Sequence, residues 1–342
     1  MREVKFMFHS SKKARSTVGC LLVAFVLGLE APLLGQRVKW HKSWAEAVTV
    51  ANTEERALLL AITGDAWSSL SKSFTKTVLG DGGVKRRMQQ DYSCYRIDLP
   101  VARRGRAKEL SPEDRKLLAA VGIGGHQAVP RVILMARDER IYGRLGGPCD
   151  AKTFLSDIEQ WEFARKETGQ PVQDKATAAR LTQSANAQRL AKDYVGGLRD
   201  SESAVAADPS NAYAHFVRGL LLNELGRKED ARQAYINGLS LDSTGDPANA
   251  RTTIWAAGAW YNLGVMELAE GAGQRALFYL RENQRTDLST DGPMKRVIEL
   301  QAKVGRADVG LEEYTELLHR SGLSASYMRA YFIYADRMLG GR

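Results

Sequence analysis

The stretch Ala57-Leu58-Leu59-Leu60-Ala61-Ile62-Thr63-Gly64-Asp65-Ala66-Trp67-Ser68-Ser69-Leu70-Ser71 decides how the rest of the chain is read. Six consecutive apolar residues closed by Thr63 and Gly64 form an apolar run that reads as a strand. Ser68 then offers a side-chain acceptor to the first turn of an amphipathic helix reaching Val78, the role that Ser fills well at a helix start. A strand turning sharply into a helix points to α/β organisation. Working outward, the spacing predicts a helix from Ser43 to Asn52 before this unit. After it come a strand from Tyr92 to Leu99, a helix from Pro112 to Ala120, strands Arg131 to Ala136 and Ile141 to Leu145, and a helix from Ala151 to Arg165. Ser111 before Pro112 reads as a helix cap with proline in the first turn.

This order and its local motifs resemble the thioredoxin-like fold, in particular exported members whose active-site segment reads T-G-x-x-W-C-x-x-C. Thr63-Gly64-Asp65-Ala66-Trp67 matches the first half, while Ser68 and Ser71 stand at the two cysteine positions. Ala128-Val129-Pro130-Arg131 is similar to the family's segment leading into its cis-proline, and Asp138-Glu139-Arg140-Ile141-Tyr142-Gly143 to the turn between its last two strands. The resemblance implies a thioredoxin-like domain over residues 37–165 with a degenerate Ser-x-x-Ser motif. It also implies a cis Pro130, with the backbone of Val129 beside Ser68 offering an edge to an extended peptide. Trp67, Val129 and Pro130 are then the expected peptide-groove residues. The family's redox chemistry needs a thiolate at a helix N-terminus, and a serine hydroxyl is too weak an acid and forms no disulfide. Serine nucleophilic catalysis needs an adjacent base, and no His lies close in sequence. The expectation is therefore no catalytic residue, with Ser68 as a cap.

Three cysteines occur, and two remain beyond the N-terminal segment, too few for a disulfide framework. Cys94 falls in the alternating strand Tyr92 to Ile97 and reads as core. Cys149 precedes the helix from Ala151, where the helix terminus lowers a thiol pKa, so it is the candidate reactive thiol; an incidental loop cysteine is the other reading. His9, His41, His126, His215 and His319 show no metal-ligand spacing, so no metal site is expected. Gly122-Ile123-Gly124-Gly125 lacks the Lys-Ser/Thr of a phosphate loop and the third glycine of a dinucleotide fingerprint, which leaves no expected cofactor.

Residues 166–177 form a polar stretch with Gly169 and Pro171 and read as a linker. Beyond it, over 178–342, every segment is helical in pattern, with self-similarity near the roughly 34-residue period of helix-turn-helix repeats. Trp260-x-x-Leu263-Gly264 followed by Ala276 and Leu280 resembles the tetratricopeptide (TPR) signature. Gly219, Gly226, Ala231, Tyr235 and Gly238 fit one repeat earlier, and Ala204 to Pro209 resembles a repeat end. A weaker unit is expected from Met294 to His319, and a capping helix from Tyr327 to Leu339. Such arrays bury their small and aromatic residues and bind proteins on a concave face, where Arg218, Asn223 and Asn262 are candidates.

The chain has 342 residues, 44% apolar and 26% charged, enough for two domains with their own cores. Its formal charge of +9 falls to +6 once residues 1–36 are set aside, a bias spread over helices that also carry acids. The basic loop Arg103, Arg104, Arg106 and Lys108 is the one dense cluster, and no nucleic-acid module is present. Residues 1–36 place Lys12, Lys13 and Arg15 before the apolar run Cys20 to Leu29, a targeting segment that implies export to a bacterial periplasm or cell envelope. Two readings stand for it: a signal peptide cleaved near Ala31 or Gly35, or an uncleaved membrane anchor through Leu33 and Leu34. Cys20 precedes the apolar run, which argues against a lipoprotein. The expected function is an exported, non-catalytic protein-interaction module whose helical groove holds a protein or peptide. The alternatives are single-cysteine thiol-disulfide chemistry through Cys149 and a chaperone-like peptide binder.

Overall fold

The computed structural model describes residues 38–100, 110–123, 129–146, 149–241 and 253–286. The expected targeting segment, the basic loop, Gly124-Gly125, the unit from Met294 to His319 and the helix from Tyr327 to Leu339 lie outside the described residues.

Helix α1 (Trp44–Thr53) starts on Ser43, whose hydroxyl oxygen accepts from the Glu46 amide at 3.1 Å. Strand β1 (Ala57–Thr63) follows and is buried along nearly its whole length. Next come α2 (Ser69–Thr77), α3 (Gly82–Asp91) and β2 (Tyr92–Asp98). Helix α4 (Pro112–Ala120) begins on Ser111 with proline in its first turn, as the sequence reads. Strands β3 (Arg131–Met135) and β4 (Ile141–Gly146) precede α5 (Ala151–Thr168), which Asp150 caps. Helix α3 is not anticipated by periodicity: its ten residues bury only Val84 and Met88, so two apolar positions carry the whole signal, and Asp81 as N-cap fixes its start.

The four strands form one mixed sheet in the order β2-β1-β3-β4, β1 running parallel to β2 and antiparallel to β3. Period-2 alternation divides the sheet residues between two cores. Leu58, Leu60, Ile62, Ile133 and Met135 pack with α1 and α4 on one face. Leu59, Ala61, Val132 and Leu134 pack with α2, α3 and α5 on the other.

The remaining helices pair as hairpins: α6 (Lys175–Leu190) with α7 (Tyr194–Ala207), α8 (Ala212–Glu224) with α9 (Lys228–Leu241), and α10 (Thr253–Ala269) with α11 (Gly273–Thr286). Each hairpin turns through one residue in the left-handed region, Lys192, Gly226 and Gly271 respectively; glycine takes this conformation without strain at two of the three. Lys192 and Gly226 stand 34 positions apart, the period read from sequence. Among the described residues no helix is long and apolar enough to cross a membrane.

The segment joining sheet region and helices spans only 169–174, because α5 runs on to Thr168 and α6 starts at Lys175. The described residues on both sides of it fall in one compact unit. Helix α5 covers the sheet and also packs on α9, and α9 lies against the edge strand β4. The indoles of Trp161 and Trp260 meet at 6.1 Å, merging the sheet core with the helical core. A buried ionic chain crosses the same boundary. Arg275 of α11 grips Asp157 of α5 through two hydrogen bonds of 2.6 and 3.0 Å and also binds Glu267 of α10. Glu267 in turn pairs with Arg232 of α9, which reaches Glu270 at 2.9 Å.

Candidate functional site

Strand β1 ends at Thr63, and the segment from Gly64 to Ser71 builds a polar cluster with Thr75, Arg96 and Asp98. The Ser68 hydroxyl oxygen accepts from the Ser71 amide at 3.2 Å, capping α2 as its sequence position predicts. Ser71 is wholly buried; its oxygen accepts from the Gly64 amide at 2.8 Å and its hydroxyl donates to Asp65 Oδ1 at 2.9 Å. Asp65 is the hub. It also accepts from the Thr75 hydroxyl at 3.0 Å and, through Oδ2, from the Arg96 guanidinium at 2.6 Å. Arg96 Nε donates to Thr63, whose hydroxyl donates to Asp98; Asp98 accepts from the Asp65 amide as well. The Ser71 hydroxyl is thus both a donor and an acceptor within the cluster, and its burial sets it away from solvent. Asp65, Thr75, Arg96 and Asp98 were not legible as site residues. The Thr-Gly-Asp start of the motif was the only local sign, and their pairing spans 31 positions of sequence between Asp65 and Arg96.

Trp67 lies across Gly64, where any Cβ would stand 2.6 Å from the indole, and its Nε1 donates to the Leu99 carbonyl at 3.0 Å. Trp67 is 38% exposed and Leu70, the second residue of α2, is 41% exposed, both apolar side chains at the C-terminal end of β1. The Val129-Pro130 peptide is cis. The β1–β3 register pairs Ile62 with Arg131, so one further step sets Pro130 opposite Thr63, at the same end of the sheet as Trp67. Val129 and Pro130 are both buried, Val129 in the core beside α4. Of the expected groove residues, Trp67 alone presents a side chain, and Val129 has only its backbone to offer a ligand.

The surroundings of Cys149, which is half-buried, weigh against a reactive thiol. Burial pushes its thiol up to about 12, and the carboxylates of Asp157 and Asp150 raise it against the opposing charge of Arg275. The sequence places the thiol at a helix start, where the dipole favours a thiolate, but does not show that it packs partly buried against the core, near the charges of Asp157 on α5 and Arg275 on α11. Cys94 is buried, its thiol likewise pushed up to about 12 by desolvation.

At the opposite end of the sheet, an open cleft of about 710 Å³ is lined by Glu54, Arg56, Arg87, Asp138 and Lys166 among others. Beside it Glu162 accepts from the hydroxyls of Tyr92 and Tyr142 and pairs with Arg165 at 2.8 Å. Burial works against the Glu162 charge, but these hydrogen bonds prevail and hold its pKa below the usual value. Arg56, Arg87 and Arg137 each carry a carboxylate partner, so the cleft offers no unbalanced charge to a ligand. Among the described residues no cluster of His, Cys, Asp and Glu is suited to a metal ion.

In the helical array Tyr235 and Trp260 are buried packing residues, and Asn262 donates to the Tyr235 hydroxyl at 3.2 Å, a structural contact. Asn223 is exposed. Arg218 is half-buried, and its Nε has no hydrogen-bond partner.

No protein-family model matches the chain, and no curated protein matches it. Among solved structures it is similar to a DsbH oxidoreductase, at 17% identity over 44% of this chain and 94% of that one, with a TM-score of 0.33. It is similar also to MamA in two structures. One is 20% identical over 47% of this chain and 91% of that one, with a TM-score of 0.35; the other is 20% identical over 45% and 93%, with a TM-score of 0.33.

Proposed function

We propose that the chain is a non-catalytic protein-interaction module, in which a thioredoxin-like domain without redox chemistry presents a peptide-docking edge and a TPR-like array holds a partner protein. The thioredoxin-like reading is supported by the sheet order, the helix capped directly after β1 and the cis peptide before Pro130. The TPR-like reading is supported by three successive helical hairpins and the 34-residue spacing of their first two turns. One observation carries the functional conclusion: Ser71 is buried and bound into Asp65 and Gly64, so the place of a dithiol is taken by a static hydrogen-bonded cluster. Beside it, exposed Trp67 and Leu70 give an extended chain an apolar contact where strand addition could begin. With a targeting segment at 1–36, the site of action is the periplasm or cell envelope of a bacterium, reached with or without cleavage of that segment.

The test pairs two assays on the full chain. With dithiothreitol as reductant the native protein is expected to leave insulin disulfides intact. A photo-crosslinking residue at Leu70 is expected to capture reduced, carboxymethylated α-lactalbumin, and Trp67→Ala to lower that capture about tenfold. Reductase activity lost in Cys149→Ser would overturn the non-catalytic reading; capture indifferent to Trp67 would overturn the docking edge.

A further inference from the structure

Arg131 is the first residue of β3, directly after the cis peptide, and it is buried, with only 5% of its surface exposed. One of its partners comes from far along the chain: the guanidinium pairs with Glu282 of α11, which is fully buried, 151 positions later. The same guanidinium lies over the Phe278 ring, 5.8 Å from its centroid. Phe278 and Glu282 are four residues apart and share one face of α11, so a single helix face supplies both the aromatic platform and the counter-charge. The sheet is cut to admit that face. Arg131 pairs across β3–β4 with Gly146, and a Cβ at Gly146 would stand 2.4 Å from Phe278.

Breaking a buried ion pair is strongly unfavourable, so this pair ties Arg131 to α11, alongside the other interactions that both residues make. Arg131 is covalently next to Pro130, hence the position of α11 governs the backbone at the end of the docking edge. We propose that the Arg131–Glu282 pair makes α11 a positioning element of the Pro130 edge, coupling the helical array energetically to the peptide site. The coupling rests on the docking reading given above for its ligand, and on the Arg131 geometry alone for its structural part. Reciprocity follows: a partner that shifts α11 alters peptide affinity, and a bound peptide alters partner affinity by the same factor.

Hydrogen exchange of the full chain, read by mass spectrometry without any ligand, tests the structural part. In Glu282→Gln and in Arg131→Met, amides in 129–135 and in 273–286 are expected to exchange together, about tenfold faster, while those of α4 keep their native rates. Arg131→Met/Glu282→Leu removes both charges, fills the space with apolar groups and should restore slow exchange at both places. Faster exchange confined to α11, or spread evenly over every helix, would overturn the coupling. Affinity for reduced, carboxymethylated α-lactalbumin tests the rest: Glu282→Gln should weaken it about fivefold and the double variant recover it. Unchanged affinity in Glu282→Gln for a probe that the native chain binds would also overturn the proposal. A native chain that ignores the probe defeats the docking reading instead, and the exchange result then decides the coupling by itself.

Discussion

The polar cluster around Asp65 and the ionic chain around Arg275 are both networks of side chains that bridge separate elements, yet they differ in depth. Asp65 and Arg96 each keep about a quarter of their side chains in contact with solvent, 24% in both cases, and most of the cluster's bonds are to hydroxyls and backbone amides. Arg275 and Asp157 are 15% and 14% exposed and Glu267 3%, and the bonds there are between full charges. Water can replace part of the first network when a member is removed. It can replace little of the second, because a charge left alone there has neither solvent nor partner. The motif end is therefore tolerant and the seam between sheet and helices is not.

The sharpest way to break that comparison is to remove Arg275. Arg275→Met strands Asp157 and part of Glu267 in the seam and is expected to lower the unfolding free energy by about 3 to 5 kcal/mol, read from guanidinium denaturation of the full chain. Helix and sheet signals should still be lost in one transition, since the two regions share a core. A loss below about 1 kcal/mol, or two separate transitions, would mean that the seam is solvated and the regions are independent.

Protons offer a second, smaller lever, and it acts on the helical side. Burial pushes the His215 ring down to about 4; the Arg218 charge lowers it too, while the Pro209 carbonyl and Asp208 act the other way. The folded state thus holds the ring neutral at a pH where the unfolded chain, with an ordinary value near 6.5, takes up a proton. Stability from this group is complete above pH 6.5 and falls as pH drops from 6.5 toward 4, by about 2 to 3 kcal/mol across the window. Denaturation midpoints at pH 7 and pH 4.5 should show that drop in the native chain and a much smaller one in His215→Gln. An equal drop in both would place the acid sensitivity elsewhere.

The same contrast explains what could be read in advance. Strand β1, α4 and the Ser68 cap follow from residues within one turn or one strand of each other, and their bounds agree with the sequence to within a residue. Helix α3 was hidden because a short, Arg- and Gln-rich helix has almost no apolar period to detect. Asp65 with Arg96 and Asp157 with Arg275 lie 31 and 118 positions apart, and nothing in either local sequence announces the other. The two readings of Cys149 meet the same limit. Its helix start was visible, but the desolvation that outweighs the helix dipole comes from elements far along the chain. Local chemistry was legible, and tertiary burial, which sets the sign of the pKa shift, was not.

The smallest expected effect is the most informative about the motif. If Ser68 is a cap and nothing more, Ser68→Ala should cost about 1 kcal/mol, Ser68→Asp should cost almost nothing because its carboxylate caps as well, and both should bind an extended polypeptide like the native chain. The Ser71 amide loses its acceptor in the alanine variant, but this helix end is partly exposed and water can take the place of the hydroxyl. Equal stability loss in both variants would show that the Ser68 oxygen does something other than accept from that amide. A large loss of polypeptide binding in Ser68→Ala, with stability nearly intact, would move Ser68 from scaffold to ligand contact. The motif end would then be the specific part of the molecule and the seam merely its support.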